Sequence, residues 1–182
     1  RYNKLMADEN EVAAKEYLLR DLHDKTVYSS VQYYDDNTLN VCLESTFHFV
    51  EKVVDEIAKL HEAGGQPLTI YHIGADETAG AWLDSPKCQS FLAKNSHNVT
   101  SFDDFGAYFV ERVANMLSNK GIKPAGWSDG MSHARVENMP SKSQANIWDV
   151  MSHGGHKRAH TQANLGWDAV LGMPEVLYFD FP

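Results

Sequence analysis

The sequence predicts an α/β fold of the (β/α)8-barrel class, about half of one barrel. Three observations carry this. Short β-branched apolar runs alternate with helix-length amphipathic segments, the pattern of βα units and a parallel sheet. Three of the strands end in polar or aromatic side chains: Asp76 and Glu77 after the first, Trp127 after the second, Trp148 and Asp149 after the third. Barrel enzymes place their chemistry at strand carboxyl ends in this way. Finally, four strands can be counted in the 182 residues, where a whole barrel takes about 250 residues. A doubly wound open sheet is the alternative, but no glycine-rich dinucleotide fingerprint supports it.

Residues 5–22 have helical content through Ala13, Ala14, Leu18 and Leu19, and Asp35-Asp36-Asn37 reads as a turn. Ser45 or Thr46 then caps an amphipathic helix with Phe47, Val50, Val53, Val54, Ile57 and Leu60 on its apolar side, ended by Gly64-Gly65. The run Leu68–Ile73 is short, β-branched and bounded by glycines, so it reads as a buried strand. Ser101 caps a second helix, with Phe105, Tyr108, Phe109, Val113, Met116 and Leu117 on one side and Gly121 closing it. Strands follow at 122–127, 145–150 and 169–173. A short helical turn separates the first two of these, and a weaker helix near 156–164, ended by Gly166, separates the last two.

The segment His72-Ile73-Gly74-Ala75-Asp76-Glu77 is the most informative. In an extended strand successive side chains point to opposite faces, so Asp76 and Glu77 serve one site only if the backbone turns there. Gly74 allows that turn. The plain alternative is a solvated turn with two surface acids.

This hexapeptide resembles the His-any-Gly-Gly-Asp-Glu signature of the β-N-acetylhexosaminidases of glycoside hydrolase family 20, in particular the bacterial chitobiase branch. Ala75 stands where the second Gly is usual, which restricts φ at a position where Gly serves. Four more segments fit the family in the same order: residues 1–6 (RYNKLM), 125–130 (AGWSDG), 146–149 (NIWD) and 177–182 (LYFDFP). The resemblance therefore covers nearly the whole chain. It implies a retaining exo-β-N-acetylhexosaminidase that releases terminal non-reducing GlcNAc from chitobiose or short chitooligosaccharides. The implied mechanism is substrate-assisted: the sugar's 2-acetamido oxygen attacks the anomeric carbon and forms an oxazolinium, an exception among glycosidases.

By the same resemblance, Glu77 is the general acid/base and Asp76 orients the acetamide. Tyr178 hydrogen-bonds the acetamide oxygen, Asp180 binds sugar hydroxyls, and Trp127 and Trp148 wall the pocket. Trp82 and Trp167 read as structural. His72 reads either as an orienting side chain behind the site or as a satisfied core histidine. Asp129 and Asp149 follow strand ends, where they either line the cleft or stand as solvated loop acids; the latter is the plainer reading. No cofactor is implied, because the nucleophile belongs to the substrate. Family elements outside this chain include an arginine on the first strand, an early His and Asp pair, and a later tryptophan and glutamate. Residues 1–182 are thus expected to be a piece of one catalytic barrel domain, cut at both ends and inactive alone.

A formal net charge of −9 argues against nucleic acid or an anionic membrane as partner. No stretch approaches the ~20 apolar residues of a transmembrane helix. Cys42 and Cys88 on their own read as two buried thiols or as a pair; the family resemblance implies a disulfide, and with it a periplasmic, outer-membrane-associated or secreted setting. His133, His153, His156 and His160 raise a metal-dependent hydrolase as a rival, but their spacing matches no zinc signature and no metal site is expected. A non-catalytic carbohydrate-binding relative is the other alternative; the presence of both Asp76 and Glu77 weighs against it.

Overall fold

The computed structural model describes residues 2–31, 33–35, 38–78, 80–94 and 97–179. The chain forms two compact units, residues 1–65 with 78–105, and residues 66–77 with 106–182.

In the first unit, α1 (Tyr2–Ala7) and α2 (Glu11–Lys15) are short. The expected helical content to residue 22 stops at Lys15, because the next carbonyls take long-range partners. The Leu18 carbonyl accepts from the Ser45 hydroxyl, and the Leu19 carbonyl accepts from the Asn40 N–H. This also corrects the cap expected for the long helix α3 (Glu44–Ala63). Ser45 and Thr46 lie inside it, and the Thr46 hydroxyl donates to the Asn40 carbonyl at 2.6 Å. Phe47 and Val54 are buried on its apolar side, whereas Leu60 is 72% exposed. The expected turn at Asp36 and Asn37 lies outside the described residues.

Helix α4 (Pro86–Ala93) has no counterpart among the expected elements, although its start is written locally: Ser85 accepts from the Cys88 N–H and Pro86 occupies the first turn. Ser85 also donates to Asp21, whose other oxygen takes the His23 N–H. Cys42 and Cys88 form a disulfide with Cα atoms 5.3 Å apart. Trp82 is buried, with its indole N–H on the Leu39 carbonyl and its ring edge-on to Phe105.

The second unit carries the sheet. Strands β1 (Ile70–His72), β2 (Lys123–Trp127), β3 (Gln144–Ile147) and β4 (Asp168–Leu171) are all parallel and pair in sequential order. Consecutive parallel neighbours joined by helices are the arrangement of a (β/α)8 barrel wall, whereas doubly wound sheets carry a switch in strand order. Helix α5 (Asp104–Asn119) enters this unit before β2, and α7 (Gly155–Asn164) joins β3 to β4. α5 buries Tyr108, Val113 and Leu117 as expected. Its start is a correction: Ser101 does not accept as a cap, but Asp104 accepts from both the N–H and the hydroxyl of Thr100 and of Ser101.

β2 and β3 are largely buried, while β1 and β4 are exposed along most of their length. The expectation that β1 is a buried strand is therefore corrected. Among the described residues it pairs on one side only. The core beneath the sheet comprises Val110, Ala114, Met131, Ala134, Met139, Ala145, Ile147 and Trp167, with Ile73, Ala75 and Met173 packed against it. Trp167 is structural, as its sequence context suggested.

Candidate active site

Because all four strands run the same way, the residues that follow them gather at one end of the sheet. Pairing of β1 with β2 continues into this end: the Ile73 N–H donates to the Ala125 carbonyl at 2.8 Å, and the Trp127 N–H to the Gly74 carbonyl at 3.0 Å. The chain then leaves the extended conformation. Gly74 has φ +71°, Ala75 +71° and Glu77 +53°, all in the left-handed region. That change of conformation breaks the strand alternation that would have sent Asp76 and Glu77 to opposite faces. For Ala75 and Glu77, holding this backbone costs about 1–2 kcal/mol each. The substitution of Ala for Gly thus falls where glycine is favoured, and surrounding contacts hold it there.

Those contacts come from α6 (Ser128–His133), which begins immediately after β2. Gly130 meets the Ala75 backbone so closely that a Cβ built on it would overlap the Ala75 carbonyl oxygen. Asp129 accepts from the Glu77 N–H through Oδ2 (3.2 Å) and from the Trp148 indole N–H through Oδ1 (2.9 Å). The Ser128 hydroxyl donates to Asp149 Oδ2 at 2.7 Å, and Arg158 pairs with the same oxygen at 3.0 Å. Reading Asp129 and Asp149 as solvated loop acids is therefore corrected. Both are half-buried connectors between the loops that follow β1, β2 and β3.

The two tryptophans follow neighbouring strands and meet each other. Trp127 closes β2 and Trp148 follows β3; their ring centroids are 6.3 Å apart and the rings meet edge to face. His72 ends β1, with its ring 4.9 Å from that of Trp127 and its Nδ1 accepting the Gly74 N–H at 3.2 Å. Its side chain reaches solvent with the ring partly covered, which removes the core-histidine reading. Partial burial pushes its imidazole below the ordinary histidine value, and the negative charge of Asp76 opposes that. With Nδ1 accepting, a neutral His72 carries its proton on Nε2.

Tyr178 lies just beyond α8 (Pro174–Leu177), the segment that follows β4, and is 36% exposed. The α8 residue Glu175 accepts the Met151 N–H at 2.6 Å, which ties this segment to the loop after β3. Asp180 lies outside the described residues. His133, His153, His156 and His160 are all exposed. Among the described residues, no group of three or more His, Cys, Asp or Glu side chains could hold a metal ion. No described helix is long and apolar enough to cross a membrane.

The arrangement offers two half-buried carboxyl groups on one turned loop, which Asp129 ties to the Trp148 indole. Known proteins resemble this chain in sequence and in fold. The chain is 49% identical, over its full 182 residues, to "Beta-hexosaminidase B" of Pseudoalteromonas piscicida. It is 45% identical to "Beta-hexosaminidase" of Vibrio vulnificus over 185 aligned residues, again across the whole chain. It spans only 23% and 22% of the lengths of these relatives. Among solved structures, the GH20 exo-β-N-acetylglucosaminidase of Vibrio harveyi in complex with N-acetylglucosamine superposes with a TM-score of 0.69 at 28% identity. That match covers 89% of this chain and 23% of that one. The four strands and their helices are accordingly part of a (β/α)8 barrel. Residues 6–182 match the family described as "Glycosyl hydrolase family 20, catalytic domain", and the chain belongs to that family.

Proposed function

We infer that the protein containing this chain is a retaining exo-β-N-acetylhexosaminidase that releases terminal non-reducing GlcNAc from chitobiose and short chitooligosaccharides. The observation that supports this most is the left-handed backbone at residues 74, 75 and 77, which frees Asp76 and Glu77 from the strand alternation that would send them to opposite faces. A similarity of 29% to the "N,N'-diacetylchitobiase" of Vibrio harveyi supports the choice of substrate.

In the proposed reaction the Glu77 carboxyl protonates the glycosidic oxygen as the bond to the anomeric carbon breaks. The substrate's own acetamide oxygen bonds to that carbon and gives an oxazolinium ion. Asp76 holds the acetamide N–H and balances the positive charge that develops on it, while Tyr178 donates to the attacking oxygen. The Glu77 carboxylate then takes a proton from water as the water opens the ring, with net retention. Trp127 and Trp148 present apolar faces to the sugar ring and the acetamide methyl, and Asp180 binds hydroxyls. The Cys42–Cys88 disulfide supports an oxidising compartment, periplasmic, outer-membrane-associated or secreted.

The test is nitrophenol release by the full-length protein from the β-GlcNAc glycoside and from the β-glucoside, which lacks the acetamide. Substrate assistance requires turnover of the first and almost none of the second, with the β-anomer of GlcNAc formed first. Comparable turnover of both, or an α product, would overturn it.

A further inference from the structure

Three consecutive residues of α6 each reach a different part of the site. Ser128 binds the acid that follows Trp148, Asp129 spans Glu77 and Trp148, and Gly130 seats the Ala75 backbone. Of these, only Asp129 touches both the loop bearing the proposed proton donor and the proposed sugar wall. Its two acceptor oxygens are each matched to one N–H donor, at 3.2 Å and 2.9 Å, in a half-buried setting. Hydrogen bonds to a carboxylate are stronger than those between neutral groups and fix geometry more tightly.

We propose that Asp129 is a positioning residue that sets the distance between the Glu77 loop and the Trp148 indole, and so places the proton donor against the leaving-group oxygen. Asp129 need not touch substrate. It acts through the Glu77 backbone, whose φ of +53° is one that an unsupported glutamate leaves readily. This inference rests on the proposed function of the site.

Asparagine at position 129 keeps the shape but offers one acceptor oxygen and one NH2 group to two N–H donors. One donor then faces a donor. In the full-length protein, Asp129→Asn should lower kcat on chitobiose about tenfold to hundredfold, the range expected for losing one such bond. The loss should be several times smaller on an activated dinitrophenyl glycoside, which needs less help from the proton donor. A residue that merely supports the fold would lower both equally.

Trp148→Phe removes one of the two donors. In that background the introduced asparagine can turn its oxygen to the Glu77 N–H, so the further loss from Asp129→Asn should shrink to about threefold or less. Asp129→Ala, which removes both acceptors without adding a donor, repeats the leaving-group comparison should the asparagine variant misfold. Equal losses on the two substrates, or losses that simply multiply across the Trp148→Phe pair, would overturn the inference. Glu77→Gln assayed in parallel separates the two levels. If it shows the leaving-group signature and the Asp129 variants do not, this inference alone falls. If neither shows it, the reading of the site falls and the inference with it.

Discussion

Gly130 lies against the Ala75 backbone with no room for a side chain, and Gly130→Ala tests what that contact does. A Cβ at position 130 would overlap the Ala75 carbonyl oxygen, standing 2.7 Å from the carbonyl carbon and 2.9 Å from the Ala75 Cβ. The oxygen lies closer still, and a Cβ–oxygen contact settles at about 3.2 Å, so the loop must retreat by more than about 1 Å. It has little freedom to do so cheaply, since Ala75 already sits at φ +71° and packs against the core. The next two residues are Asp76 and Glu77, so the retreat moves both acids. Overpacking of this kind costs about 1–3 kcal/mol of stability. A displacement near 1 Å at reacting groups costs about 10²-fold in rate. In the full-length protein, Gly130→Ala should therefore lower kcat/KM for GlcNAc release about 10²-fold with a modest fall in melting temperature. Gly106→Ala is the control. That glycine lies within α5 with nothing inside 4 Å of an added Cβ among the described residues. There alanine should raise helix stability by up to about 1 kcal/mol and leave activity unchanged. A Gly130→Ala enzyme that folds and keeps activity within twofold of wild type would refute the claim that α6 seats the acid loop.

Three further outcomes are expected. Removing the disulfide, whose cysteines are 46 residues apart, should cost about 4 kcal/mol by loop-closure entropy. Reductant should lower the melting temperature of the wild type but not of the Cys42→Ala/Cys88→Ala variant, and wild-type melts that ignore reductant would count against it. Glu111 is buried, which would raise its carboxyl, but Arg135 through side chain and N–H and Asn138 together hold it below the usual value. Its contribution to stability is therefore full above the unfolded value near 4.5 and is lost as pH falls through the lower folded value. Glu111→Gln should destabilise by about 3 kcal/mol at pH 7, and the gap to wild type should close on acidification; a gap that stays constant to pH 3 would dismiss the linkage. Asp76→Asn should weaken binding of a thiazoline mimic of the oxazolinium far more than Glu77→Gln does, and equal affinities by calorimetry would contradict the role given to Asp76.

How much of this was legible depended on the range of the interactions. Strand positions and the residues closing them could be read because periodicity and terminating glycines act locally; Gly74, Gly121 and Gly166 all adopt positive φ where the segments end. Ser85-Pro86 carries a local start signal for α4 that apolar periodicity alone does not reveal. Ser45, Thr46 and Ser101 were legible as polar residues near helix starts but not in their roles. The Ser45 hydroxyl serves a carbonyl 27 residues upstream, and Ser101 donates where a cap would accept. Asp129 was legible as an acid after a strand end but not in its role, because its partner Glu77 is 52 residues away and no local pattern encodes the pairing. The exposure of β1 and β4 was hidden for another reason. An apolar strand run looks the same whether or not neighbours cover it.

The acids themselves show why local reading reached the residues and stopped short of the geometry. Two neighbouring carboxyl groups on a regular strand would face apart. Here the left-handed backbone at Gly74, Ala75 and Glu77 turns them, and at two of those three positions the residue is not glycine. Such a backbone persists only where its surroundings over-determine it. The Trp127 N–H on the Gly74 carbonyl, Gly130 beneath Ala75 and Asp129 on the Glu77 N–H provide that, each from the segment that begins at the end of β2. On the proposed mechanism this arrangement suits the chemistry. An ordinary retaining glycosidase needs two carboxyl groups about 5 Å apart on opposite sides of the anomeric carbon, one of them the nucleophile. A substrate that carries its own nucleophile needs a proton donor and a neighbouring carboxylate to aim the acetamide. Adjacent residues on one strained turn can supply both, provided the next segment of chain holds the turn in place.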